Sequence, residues 1–217
     1  MKKMGFYGWL YKYLSGFIKT IFRIHVYGAE NEPAEGGYLA CPNHISYLDV
    51  LVAAVSVKRQ IRFMAKKELF KVPLLGGLIK TLGAFPVDRT GNAVSSIKKT
   101  ISLLKEGEVV GLFPQGHRFR GKEIESSRSA VKGGAAMTAF RAGVPVLPMY
   151  IETKGNKVAL FRRINIYIGK PITLEEFAFE NGGNEEYDRG AQLIFDRILA
   201  LKADAPRLLA AAEDTHA

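Results

Sequence analysis

The chain is poor in residues that staple or ligate: of its 217 residues one is a cysteine, Cys41, and four are histidines. A single cysteine excludes an intrachain disulfide and a zinc knuckle and fits a reducing compartment. Stability must therefore come from a packed core, and a chain of this length buries about 70% of its unfolded surface. Scattered histidines without an HExxH pattern disfavour a transition-metal site. GxGxxG and GxxxxGK[ST] are absent, so dinucleotide and P-loop chemistry lack their signatures, and no GxSxG elbow offers a serine nucleophile. Without 18 consecutive uncharged apolar residues, no segment reads as a bilayer span. There is no internal repeat and no low-complexity linker.

What the chain has in excess is positive charge. It carries 31 Lys and Arg against 21 Asp and Glu, a net charge of +10. Residues 1–174 hold 27 basic and 11 acidic residues (+16), whereas residues 175–217 hold 4 and 10 (−6). The basic field belongs to the body of the protein and attracts phosphate, on nucleic acid, on anionic lipid or on a small substrate. No stacking-platform or DNA-reading helix motif accompanies it, so nucleic acid is not an expected partner.

The first segment points to lipid. Residues 4–24 are dense in aromatics (Phe6, Tyr7, Trp9, Tyr11, Tyr13, Phe17, Phe22), with Lys12, Ser15, Lys19 and Arg23 on one helical stripe. Leu10, Leu14, Phe17, Ile18 and Ile21 fall largely opposite. A cationic stripe backed by an aromatic face predicts a helix lying in a membrane interface; the expected location is peripheral or monotopic, at the cytoplasmic face. Packing on the domain's own core is the alternative. Lys12 interrupts the apolar region and no small-residue cleavage site follows, against a signal peptide.

Beyond residue 24, β-branched and aromatic runs predict strands at 24–27, 37–41, 61–65, 84–87, 109–113, 144–151 and 164–168. Helices are predicted at 47–57, 73–82, 93–105, 131–142, 174–180 and 185–201. Gly83, Gly107 and Gly143 stand where helices end, and Thr173 with Glu176 forms a capping box. This alternation predicts an α/β fold, a mostly parallel sheet flanked by helices. Its expected organisation is an interface helix (1–24), one domain (25–205) and a loose tail (206–217).

In such sheets ligands lie beyond the carboxyl ends of the strands, and notable polar residues fall there. NHISYLD (43–49) places His44 five residues before Asp49. An imidazole can take a hydroxyl proton near neutral pH, and a carboxylate on its other nitrogen fixes the tautomer. Ser46 and Asp49 also fit a capping box opening the next helix, and the two readings are compatible. Lys66 follows the third strand, Arg89 the fourth, and Gln115, Gly116 and Arg118 the fifth. Glycine admits backbone close to a ligand, and the guanidinium fork matches phosphate oxygens. His25 and His216 read as structural or solvent residues, while His117 flanks the glycine turn.

The order NHxSxxD (43–49), GxxxxxR (83–89), FPxGxR (113–118) and VPxxP (144–148) resembles the 1-acylglycerol-3-phosphate acyltransferases, the PlsC-like family, over residues 38–150. KKELF (66–70) and KGG (132–134) are similar to the family's intervening segments. The resemblance implies an enzyme moving an acyl group from acyl-CoA or acyl-carrier protein to the hydroxyl of a lysophospholipid, giving phosphatidic acid at an anionic membrane surface. It implies no cofactor beyond the acyl donor. His44 would be the general base and Asp49 its orienting partner. Lys66, Arg89, Gln115, Gly116 and Arg118 would bind substrate, and the VPxxP block would shape an apolar floor. Gln115 and His117 depart from the family's usual FPEGTR, and Pro86 from its usual bulky apolar residue. They leave open another lysolipid acceptor. A non-catalytic reader of anionic membrane is the rival from another class.

Overall fold

A computed structural model describes residues 6–87, 93–119 and 124–214, with side chains described from Tyr13 to Pro206 within them. Seven strands form one sheet in the order β1-β7-β6-β2-β5-β3-β4. These are β1 (Ile24–Tyr27), β2 (Tyr38–Pro42), β3 (Ile61–Lys66), β4 (Phe85–Val87), β5 (Val109–Gly111), β6 (Val146–Thr153) and β7 (Ile164–Ile168). Every pairing is parallel except β6 with β7, as the mostly parallel expectation required. That exception follows from chain length. The short connection between β6 and β7 has no room for the crossover a parallel pair needs.

Both faces of the sheet are covered, so central strands lose the polar alternation of a half-exposed sheet. Leu39 and Cys41 of β2 point into a core closed by α4 (Ala93–Lys105), α5 (Gly134–Ala142), α6 (Leu174–Phe177) and α7 (Asn184–Asp214). Tyr38 and Ala40 point into the opposite core, under α1 (Phe6–Ile21) and α2 (Asp49–Ser56). Cys41 lies fully inside, and burial pushes its thiol well above the usual range. It is an inert core residue. The VPxxP block is core as well: Val144, Val146 and Leu147 are buried, and Pro148 sits opposite Cys41.

Local signals account for most boundaries. Gly83, Gly107 and Gly143 all adopt positive φ, from 69° to 83°, where helices end. Thr173 and Glu176 complete the expected capping box of α6. The tail differs from expectation, because α7 continues through Pro206 to Asp214. One internal proline forfeits a hydrogen bond and kinks a helix without obliging it to stop.

The first helix divides its apolar face between two tasks. Ile18 and, just past the helix, Phe22 are buried in the core, and Leu14 and Ile21 are packed against it, whereas Tyr13 and Phe17 are 59% and 63% exposed. Helix α1 also touches α3 (Leu75–Thr81). Between β3 and α3 lies a surface the sequence reading did not single out. Leu69, Val72, Leu74, Leu75 and Leu78 are exposed there, Leu74 to 93%, among exposed Lys66, Lys67, Lys71 and Lys80. No described helix is long and apolar enough to cross a membrane.

Candidate active site

The site forms at the carboxyl edge of the parallel strands β2, β5 and β3. Past Pro42 the chain is pinned by Asn43, whose amide bonds both polar groups of Ile151 in β6: Oδ1 accepts at 2.6 Å and Nδ2 donates at 3.1 Å. Asn43 extends the β2–β6 pairing with a side chain just past Pro42, the last residue of β2. The next residue, His44, therefore starts from a fixed backbone position.

The His44 imidazole is held at one nitrogen and on one face. Its Nδ1 lies 2.9 Å from Asp49 Oδ2. Its face stacks on Phe113 at 3.8 Å between centroids, and Phe113 stacks in turn on Phe63 of β3 at 5.7 Å. The Phe63 ring lies where a Cβ on residue 111 would stand, 2.1 Å from its nearest carbon, so β5 must end in glycine. That leaves Nε2 facing out, and the His44 side chain is 15% exposed. Because the carboxylate accepts, Nδ1 carries the proton and Nε2 keeps its lone pair.

Asp49 is fully buried and acts almost entirely through one oxygen. Besides His44 Nδ1, Oδ2 accepts the N–H groups of Ile45 at 2.6 Å and Ser46 at 2.7 Å. Buried Oδ1 has no partner. Desolvation pushes the carboxyl above its usual range, opposed first by the His44 hydrogen bond and then by the Ser46 and Ile45 N–H groups and the His44 charge. The expected capping box is only half built. Asp49 caps the Ser46 N–H, but the Ser46 hydroxyl accepts from Leu48 two residues on, and α2 starts with Leu48 as a cap without a side-chain bond. The hydroxyl is spent in this local turn, so the carboxylate serves His44 and the loop together.

The turn after β5 supplies the other groups. Gly116 closes it with φ 69° and donates its N–H to Phe113 at 3.0 Å, a conformation other residues adopt at a cost. Arg118 lies over the Tyr47 ring with its guanidinium carbon 3.2 Å from the centroid, and its Nη1 is buried without a partner. Gln115, expected among the substrate-binding residues, turns inward. Its Oε1 accepts the His44 N–H at 2.6 Å and its Nε2 donates to Ser127 at 2.7 Å. Lys66 is exposed at the end of β3, on the same sheet edge. Arg89 lies outside the described residues. A cavity of about 220 Å³ adjoins Phe113, lined by Met64, Ile97, Leu112 and Ala135 among others.

Sequence reasoning did not foresee Phe113 and Phe63 as the shelf under His44, nor Tyr47 beneath Arg118. Phe113 stands inside the FPxGxR motif, but stacking partners have no spacing rule when they come from different elements. Asn43 stands in the NHxSxxD motif, but its partner Ile151 lies 108 residues away, beyond the reach of any local pattern.

This arrangement, a histidine oriented by a buried carboxylate beside a turn whose arginine has one buried nitrogen without a partner, suits proton removal from a hydroxyl on an anionic molecule. The comparisons agree in class. Residues 23–152 match the family model described as Acyltransferase, and the chain belongs to that family of acyl-transferring enzymes. It is 36% identical over 176 residues to the 1-acyl-sn-glycerol-3-phosphate acyltransferase of Bacillus subtilis (strain 168), covering 78% of this chain and 85% of the relative. A protein of the same description from Streptococcus pneumoniae is 30% identical over 198 residues, covering 87% of this chain and 70% of the relative. In fold, the chain is similar to the crystal structure of the 1-acyl-sn-glycerophosphate (LPA) acyltransferase PlsC from Thermotoga maritima. The TM-score is 0.67 at 24% identity, covering 93% of this chain and 85% of that one.

Proposed function

We propose that the chain transfers an acyl group from a thioester, acyl-CoA or acyl-carrier protein, to the free hydroxyl of 1-acylglycerol-3-phosphate, forming phosphatidic acid. The observation that carries this reading is the 2.9 Å contact between His44 Nδ1 and Asp49 Oδ2, which leaves Nε2 as the base. Nε2 takes the hydroxyl proton while the hydroxyl oxygen attacks the thioester carbonyl carbon. The tetrahedral intermediate collapses by breaking its C–S bond, and the imidazolium returns the proton to the departing sulfur. Asp49 stabilises the imidazolium between the two transfers. A positioned base of this kind contributes about 10² to 10⁴ in rate.

Arg118 is the proposed phosphate ligand, since a buried guanidinium nitrogen without a partner is costly unless an anion satisfies it. Lys66 shares the sheet edge, and Arg89 is proposed from its motif alone. Gly116 permits the tight turn that presents Arg118. The relatives' described substrate favours 1-acylglycerol-3-phosphate as the acceptor.

The membrane is the proposed source of the acceptor. Exposed Tyr13 and Phe17 on α1, with the leucine and lysine surface of residues 66–80, support contact with an anionic bilayer. Apolar side chains would enter the interface and lysines would face its phosphates. The protein would then lie on one leaflet, at the cytoplasmic face.

Acceptor identity is tested by offering lysophosphatidic acid, lysophosphatidylcholine and lysophosphatidylglycerol together with one acyl-CoA. Mass spectrometry should find phosphatidic acid as the dominant product. Dominance of either other phospholipid would overturn the acceptor assignment.

A further inference from the structure

The turn after β5 holds a polar side chain that the proposed chemistry leaves unused. Gln115 is 1% exposed, and both ends of its amide are engaged inside the protein. Ser127, which accepts from its Nε2, donates its own proton to the Ile124 carbonyl at 2.6 Å. The direction of this relay is fixed. A backbone N–H can only donate, so the Gln115 oxygen must face His44, its NH₂ must face Ser127, and the single Ser127 proton is committed to Ile124.

Glutamine satisfies both ends of that arrangement, and a carboxylate satisfies only one. Glutamate at 115 would accept from His44, but it would confront the Ser127 oxygen without a proton to offer. Ser127 would have to turn its only hydroxyl proton away from Ile124, and a charge would lie buried beside the base. The glutamine is thus matched to Ser127. The same turn also holds the other side of the His44 residue, where the Phe119 N–H donates to the His44 carbonyl at 2.9 Å.

We infer that Gln115 is a positioning residue, which sets the His44 backbone and so the direction of Nε2, and that it makes no contact with the acceptor. The inference rests on His44 being the base. Asp49 fixes the ring and its tautomer, while Gln115 and Phe119 fix the backbone that carries the ring. Errors in either would misdirect Nε2, and misplacements of about 1 Å cost on the order of 10²-fold in rate.

The test compares Gln115→Met, Gln115→Glu and Ser127→Ala with wild type and His44→Ala, using acyl-CoA and lysophosphatidic acid. It measures kcat, both KM values, the pH profile and the melting temperature. Gln115→Met should lower kcat about 10- to 100-fold with both KM values largely unchanged. Gln115→Glu should recover part of kcat, because it restores the acceptor for the His44 N–H. It should also move the acid limb of kcat/KM to higher pH, because a nearby carboxylate favours the imidazolium. Ser127→Ala should lower kcat less than Gln115→Met.

A raised acceptor KM with kcat retained in Gln115→Met would overturn the inference by marking Gln115 as a substrate ligand. A lowered melting temperature with unchanged kcat per folded molecule would overturn it by leaving a purely structural role. If Gln115→Met does not fold, the kcat and pH limb of Gln115→Glu and the kcat of Ser127→Ala decide in the same way. Wild-type activity in His44→Ala would instead defeat the base assignment, whereas an inactive His44→Ala beside a normal Gln115→Met would defeat this inference alone.

Discussion

Asp49 holds His44 and its loop through a single oxygen, which meets His44 Nδ1 at 2.9 Å and the N–H groups of Ile45 and Ser46 at 2.6 and 2.7 Å. An asparagine can keep the accepting oxygen in place, with an amide nitrogen at the Oδ1 position, and lose the charge. Asp49→Asn should therefore lower kcat by at least about 10²-fold, because nothing then stabilises the imidazolium.

Its stability should move the other way with pH. Burial raises the Asp49 carboxyl above 3.8, so the native state binds this proton more tightly than the unfolded chain does. That contribution is fully present below pH 3.8 and is lost as pH rises through the folded value. Once ionised, the buried group therefore costs stability. Thermal melts from pH 4 to 7 should show wild type losing ground to Asp49→Asn as pH rises. A gap that widens in favour of wild type would contradict the direction of the shift.

Arg118 makes its prediction through Tyr47. Replacing Arg118 by alanine removes a charge-assisted contact worth about 1.5–3 kcal/mol, so the acceptor KM should rise about 10- to 100-fold while the donor KM stays put. Tyr47→Phe keeps the ring and should be nearly silent, whereas Tyr47→Ala should weaken acceptor binding. Steady-state kinetics with each substrate varied in turn separates the cases. Equal effects on both KM values would rule out a phosphate clamp.

For the bilayer surface, Leu74 and Phe17 are the informative positions, being 93% and 63% exposed. Burying one such side chain is worth about 1.5–3 kcal/mol, so Leu74→Asp and Phe17→Asp should each weaken binding to phosphatidylglycerol vesicles about 10-fold or more. The melting temperature should stay close to wild type, since neither side chain belongs to the core. Vesicle flotation at low and high salt checks both the apolar and the lysine contributions. Undiminished flotation of both variants would place the contact elsewhere.

Gly111→Ala tests the shelf beneath His44. Its Cβ would stand 2.1 Å from the Phe63 ring, and overpacking of this kind costs about 1–3 kcal/mol. Displacing Phe63 disturbs Phe113, on which His44 rests. Activity and melting temperature should fall together, and a lowered melting temperature with full activity per folded molecule would disconnect the shelf from the reaction.

The sheet was largely legible in the sequence because its strands are β-branched runs punctuated by glycine and proline. Strands β1 and β7 and helix α4 begin and end where their patterns do. Residues 206–214 were misjudged, since Pro206 reads as a stop although α7 absorbs it. The contact between His44 and Asp49 was legible because the two are local, five residues apart on one turn. Gln115 was not, because its partners His44 and Ser127 come from other loops and its motif position suggested a substrate contact. The face of α1 was legible as apolar but not as divided, since periodicity cannot say which residues the protein's own core will claim.

The most direct measurement of the central claim is the rate of thiol release from acyl-CoA with lysophosphatidic acid, catalysed by purified, folded His44→Ala. If His44 is the base, kcat should fall about 10² to 10⁴ below wild type with the acceptor KM little changed. A folded variant turning over at the wild-type rate would contradict it.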